Sequence, residues 1–164
     1  MKVILDTDFL SSFLKIGRLD LIREFHRVES IYISPNVYQE ISQSELLPLL
    51  TNKDWVMIEP PTHEGDEKLL SDPEFMSLGT GEKESILLAL KSEGDILLIN
   101  DNKARKVAIK RGVTAFSIPD FLMACKVTDL LTREEIGKII IELKEKDFYQ
   151  LKEEVKKLLL QNLV

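Results

Sequence analysis

Five short apolar runs, separated by segments of helical period, organise the chain. Val3 to Leu5, Ser30 to Ile33, Ile96 to Ile99 and Val113 to Phe116 read as buried strands, with Val56 to Ile58 a weaker fifth. Most are rich in Ile, Val or Leu without polar alternation, as parallel strands covered on both faces require. Between them the apolar spacing predicts helices. Phe9 to Phe25 places Phe9, Phe13, Ile16, Leu19 and Ile22 at near-helical intervals, with Gly17 as an interruption. Ser34 followed by Pro35 is an N-cap with proline at the first helical position. Thr80 is the expected cap of a helix running to Leu90. Asn100 or Asp101 is the expected cap of Lys103 to Lys110, which Gly112 would end. Ser117 with Pro119 starts another.

From about Thr132 the chain reads as two further helices. Thr132-Arg133-Glu134-Glu135 has the form of a capping box. Ile136, Ile139, Ile140 and Leu143 make one apolar stripe, and Leu151, Val155, Leu158 and Leu159 a second. Both must pack on the domain or on a second copy. The expectation is a doubly wound, three-layer α/β/α architecture with a central parallel sheet. Residues 1–130 form the main domain, and residues 131–164 a helical extension. Sheets of this kind take ligands beyond the carboxyl ends of their strands.

Four acids fall at that edge. Asp6 follows the first strand, Glu40 lies in the helix after the second, Glu84 lies early in the Thr80 helix, and Asp101 follows the strand ending at Ile99. Glu82 stands two residues before Glu84. Each acid taken singly has an ordinary use: Asp101 as an N-cap, Glu82 beside a helix dipole, Glu40 on a solvated face. Their repeated placement at strand ends and helix starts is what suggests a site. Clustered carboxylates repel one another, and divalent cations relieve that repulsion. A pair of such cations suits phosphodiester hydrolysis.

Composition narrows the chemistry. The chain has 164 residues, 44% hydrophobic and 30% charged, enough for one domain with a sizeable core. One cysteine, Cys125, permits no internal disulfide and suits a reducing compartment. Two separated histidines, His26 and His63, with that thiol supply too few ligands for structural zinc. A metal would be held by oxygen, which points to Mg2+ or Mn2+. The apolar start is too short for a signal peptide, and no stretch approaches a membrane span, so a cytoplasmic location is expected. A net charge of −6 disfavours a nucleic-acid coating protein but not a nuclease whose carboxylates are neutralised locally.

At these residues the sequence resembles the PIN-domain family. Val3-Ile4-Leu5-Asp6-Thr7-Asp8-Phe9-Leu10 is similar to its first motif, Ile33-Ser34-Pro35-Asn36-Val37-Tyr38-Gln39-Glu40-Ile41 to its second, Gly79-Thr80-Gly81-Glu82-Lys83-Glu84-Ser85-Ile86-Leu87-Leu88-Ala89 to its third, and Leu97-Leu98-Ile99-Asn100-Asp101-Asn102-Lys103-Ala104-Arg105 to its fourth. The resemblance implies Mg2+ or Mn2+ bound by Asp6, Glu40, Glu84 and Asp101, with Glu82 left open as a further ligand. The acid directly before Ser85-Ile86-Leu87-Leu88-Ala89 favours Glu84 in the third motif. It also implies endoribonuclease activity on RNA, kinship with the toxin halves of toxin–antitoxin pairs, an antitoxin partner and a homodimer. Ile99 stands where a Thr or Ser is common, and the helical tail is longer than in minimal toxins.

Substrate contacts are expected from Lys103, Lys106 and Lys110, which share one helical face after Asp101. The mixed-sign tail, including Lys152 to Lys157, reads as an ordinary exposed face. Trp55, Tyr32 and Tyr38 are too scattered for a base-stacking platform. Two alternatives remain. Asp6-Thr7-Asp8 is an Asp-x-Asp after a strand, as in haloacid-dehalogenase-like phosphatases, although Leu10 departs from their pattern. The chain could also be a catalytically inert PIN-fold binding module.

Overall fold

The computed structural model describes residues 1–62 and 67–162; His63 lies outside them. Five strands form one sheet: β1 (Val3–Leu5), β2 (Ile31–Ile33), β3 (Val56–Ile58), β4 (Ile96–Leu98) and β5 (Thr114–Phe116). Their order is β3-β2-β1-β4-β5, and every pairing is parallel. Val3, Ile4 and Leu5 stand opposite Ile96, Leu97 and Leu98, which sets β1 and β4 side by side without stagger.

Parallel strands in the middle of a sheet are covered on both faces, and side chains alternate between those faces. Accordingly Val3, Leu5, Ile31, Ile33 and Leu98 enter one core, and Ile4, Leu97 and Ile99 enter another. The first core is closed by α1 (Thr7–Lys15), α2 (Asp20–His26), α3 (Pro35–Ser42), α9 (Ile118–Val127) and α10 (Arg133–Asp147). The second is closed by α7 (Thr80–Ala89) and α8 (Asn102–Lys110), with Leu69 of α5 (Glu67–Leu70) and Phe75 of α6 (Pro73–Met76). Two further helices are α4 (Leu47–Thr51) and α11 (Glu153–Leu160). Aromatic rings anchor the first core. Phe9 stacks on Phe13 with centroids 5.1 Å apart, and Phe121 meets both edge-on. Edge-to-face and offset pairs are the favoured geometries of rings with quadrupoles.

Several helix ends follow the local signals. The Ser34 hydroxyl accepts from the Val37 N–H, and the Ser117 hydroxyl from the Asp120 N–H. Thr132 and Glu135 complete a reciprocal capping box. The span Phe9 to Phe25 is interrupted at Gly17, as expected: Gly17 takes φ 68° and the span forms two helices. Two expectations are corrected. The third-motif helix begins after Gly79, not at a Thr80 cap, because the Glu82 carboxylate reaches back to accept from the Gly79 N–H. Leu158 is exposed; of its stripe only Leu159 is fully buried, with Leu151 and Val155 partly so.

The tail packs on the rest of the chain. α10 lies against α1 and α9, and α11 against α10 and α9. Lys126 of α9 is only 5% exposed. Its ammonium donates to the carbonyls of Leu158 and Gln161, both at 2.7 Å, at the C-terminal end of α11. A cation there satisfies carbonyls that have no helical partner and meets the negative end of the helix dipole. Lys126→Met therefore should lower stability by roughly 2 kcal/mol, the scale of charge-assisted bonds lost from a buried site. Urea unfolding checks this, and an unchanged midpoint would show that α11 is held by its apolar face alone.

Candidate active site

The strand order reverses between β1 and β4: the chain runs from β1 outward to β2 and β3, then returns to the other side of β1 for β4. A crevice opens at the carboxyl end of the sheet where such a reversal occurs. Asp6 leaves β1 there, and its N–H still donates to the Leu98 carbonyl of β4 at 3.0 Å. Asp101 follows β4 and caps α8, accepting from the Ala104 N–H at 2.8 Å; it is not among the cavity's lining residues, but its charge acts on Glu82, which is.

A cavity of about 280 Å³ occupies this position, lined by Asp6, Thr7, Asp8, Glu40, Gly79, Gly81 and Glu82. Asp6 forms its floor and is 3% exposed. The Ser85 hydroxyl donates to Asp6 Oδ1 at 3.3 Å. Burial pushes the Asp6 carboxyl up to about 7, assisted by the nearby Glu82 and Asp8 charges and opposed by bonds from the Thr7 backbone and Ser85. Glu82 is also held above the usual carboxylate range. Burial is the main cause, the bond from Gly79 opposes it, and the charges of Asp101, Asp8 and Glu40 add to it. Among the described residues, none of the observed ion pairs uses Asp6, Asp8, Glu40, Glu82 or Asp101.

The third motif divides its two acids. Glu82 lines the cavity. Glu84 does not; its carboxylate accepts from the backbone N–H and side-chain amide of Asn36, at 3.0 and 3.2 Å. It thereby ties α7 to the first turn of α3. Asp8 and Thr7, absent from the expected set, line the cavity because the first turn of α1 begins immediately at Asp6. The Asp-x-Asp spacing was the available signal for Asp8. Of the expected basic residues, Lys103 and Lys106 are exposed on α8, while Lys110 at its far end stands 3.9 Å from Glu74. Ile99 is fully buried in the second core.

Two features suit a small hard cation. The Thr7 hydroxyl is buried at the cavity wall without a hydrogen-bond partner. Gly81 leaves space that a side chain would take: a Cβ there would lie 2.8 Å from Glu40 Oε1. The donors are all oxygen, the preference of Mg2+ and Mn2+. Among the described residues, no three His, Cys, Asp or Glu side chains are already gathered at metal-binding spacing. Binding would draw the carboxylates inward from the cavity walls.

Stability should report the Asp6 burden directly. Its carboxyl binds a proton more tightly when folded than unfolded, so its contribution is fully present below pH 4 and lost as pH rises to about 7. The loss is on the order of 4 kcal/mol in metal-free protein. Desolvation lowers His26 to about 4, which acts oppositely, removing stability as pH falls below 6.5. The difference between the parent and Asp6→Asn isolates the Asp6 part. Urea unfolding in chelator should show Asp6→Asn gaining relative stability between pH 4 and 7; parallel pH profiles would reject the buried acid.

No curated protein matches the sequence. A family model described as a PIN domain matches residues 2–163. PIN domains are in general nucleases and generally use divalent metals. The match displaces the dehalogenase-like reading of Asp6-Thr7-Asp8, since another family accounts for residues 2–163. It runs from the first strand through the last helix, so this chain belongs to the PIN-domain family.

Proposed function

We propose that the chain is a metal-dependent endoribonuclease that hydrolyses RNA phosphodiesters at the Asp6 cavity. The observation that carries this reading is the buried Asp6 carboxylate, surrounded by Glu82, Glu40 and Asp8 and paired with no cation of the protein. Buried charge without a counter-charge is costly, so such a cluster is suited to a ligand of opposite sign. Asp6, Glu40, Glu82 and Asp101 would hold Mg2+ or Mn2+, with Asp8 at the rim. When bound, the cation supplies Lewis acidity and charge neutralisation for hydrolysis at phosphorus.

The protein's own residues prepare that site. Ser85 fixes the Asp6 carboxylate, and the Gly79 N–H fixes Glu82. The capping bond fixes Asp101. Glu40, on the exposed side of α3, is free to adjust, and Gly81 leaves it room. We assign the third-motif ligand to Glu82 and give Glu84 the positioning of α3; the support is Glu82's place on the cavity wall and Glu84's bonds to Asn36. Lys103 and Lys106 are assigned to phosphate contacts near Asp101. Toxin activity, a neutralising antitoxin, homodimerisation and a cytoplasmic setting complete the reading, and their support is the motif resemblance. No helix of the described residues is long and apolar enough to cross a membrane.

Asp6→Asn should abolish Mn2+-dependent cleavage of RNA while leaving the circular dichroism spectrum unchanged. Glu82→Gln should cost more than the roughly 10- to 100-fold typical of residues that only orient a ligand, and Glu84→Gln should fall within that range. A reversed ranking would return the ligand role to Glu84. Calorimetric titration with MnCl2 separates an inert module from a nuclease: heat of binding lost in Asp6→Asn supports the site, and a silent parent rejects it.

A further inference from the structure

A second cleft, of about 370 Å³, lies at the β4–α8 turn. Asn100 and Asn102, the two neighbours of Asp101 in sequence, both line it. Across from them lies the segment joining α10 to α11, which contributes Tyr149, Gln150 and Lys152. Arg105 of α8 completes the polar wall. The cleft thus takes in the β4–α8 turn, and Asp101 of that turn is near enough to the acidic cavity for its charge to act on Glu82.

The two linings differ in sign. Arg105 and Lys152 bring positive charge, whereas the first cavity is lined by carboxylates. The Arg105 guanidinium is held in place by Asp120 and Asn102, each at 2.7 Å, and keeps further N–H donors. α8, α9 and α11 all begin at the cleft, with Asn102, Pro119 and Lys152 among its lining. Helix N-termini add partial positive charge and backbone donors. Lys152 is the N-cap of α11 and makes no side-chain capping bond, and Glu153 and Glu154 do not line the cleft.

One aromatic side chain, Tyr149, lines the cleft with these cations, and a second precedes it in the chain. Tyr149 is half-buried, its hydroxyl 3.5 Å from Asn100 Oδ1. Phe148, the preceding residue, is 89% exposed and takes φ 54°. The left-handed turn ends α10, where the Tyr149 N–H donates to the Leu143 carbonyl at 3.1 Å. It leaves the Phe148 ring in water, outside both cores, where a large ring forfeits the gain of burial and is open to an external partner.

We propose that this cleft binds the single-stranded RNA flanking the phosphodiester to be cut, with Arg105 and Lys152 contacting phosphate and Phe148 and Tyr149 stacking against bases. The proposal rests on the nuclease reading of the Asp6 cavity. It assigns the α10–α11 segment to substrate binding, where sequence alone read Lys152 as part of an ordinary exposed face. Alternation of cations with ring faces is the usual means of holding a strand with little sequence preference.

The test uses the full-length chain carrying Asp6→Asn and a short unstructured oligoribonucleotide labelled with fluorescein. Adding Phe148→Ala should weaken binding roughly fivefold or more, the scale of one lost base stack. Adding Lys152→Glu should weaken it roughly tenfold and reduce the slope of log affinity against log salt by about 0.7 or more. A 4-thiouridine-substituted oligonucleotide should crosslink within residues 148–152. Phe148 and Lys152 are exposed, so both variants should retain the parent's urea midpoint. Parent affinity in both variants, with Mn2+-dependent cleavage intact in the Asp6 protein, would overturn the cleft and leave the nuclease standing. Weakened binding in the variants with no cleavage by the parent would keep the cleft and reject the nuclease. Absence of both binding and cleavage would overturn both.

Discussion

A carboxylate taken out of water behind the end of a central strand raises the free energy of its ionised form, and Asp6 is held in that position by the sheet itself. Its N–H continues the β1–β4 ladder, so it cannot swing toward solvent without breaking a backbone bond. Side chains of α1 and α7 close over it. An asparagine of equal size would sit there at lower cost. The acid is tolerable because burial keeps it largely protonated up to about pH 7, or because a bound cation compensates the charge.

The surrounding elements serve that one constraint. β1 and β4 are paired without stagger, which brings the turn after each to the same edge. α7 crosses that edge with Gly81 and Ser85 facing Asp6 and Glu40, and only residues this small leave a cavity between the helices. Glu84 holds the start of α3, and α3 carries Glu40 to the cavity. The tail belongs to the same body: α10 packs on α1, the helix that Asp6 precedes, and α11 packs on α10.

Much of the fold was legible because its strands are short, apolar and bounded by strong capping residues. All five strands lie where the apolar runs placed them, and Ser34, Ser117 and Thr132 cap as their types suggest. The three shortest helices, α4, α5 and α6, were not read, because one or two turns leave too few positions to show a period. At the cavity, Asp6 was legible from its position after β1, while Asp101, read in the same way, caps α8 outside the lining. The division between Glu82 and Glu84 was not legible. Both lie in the first turns of one helix, and which of them faces the cavity depends on where that helix begins. Gly79 sets that start through a backbone bond to Glu82, a contact that no residue-type pattern reveals. Tyr149 was equally silent, since its position beside Asn100 arises only when the tail folds back on the sheet edge.

On the proposed reading, these carboxylates stand where they do to hold a divalent cation. Crystals of the full chain soaked in MnCl2 and measured at the manganese absorption edge should show an anomalous peak in the cavity with Asp6 and Glu82 oxygens among its ligands, and loss of that peak in Asp6→Asn. A cavity without a peak at saturating manganese, or a peak coordinated by Glu84 away from Asp6, would contradict it.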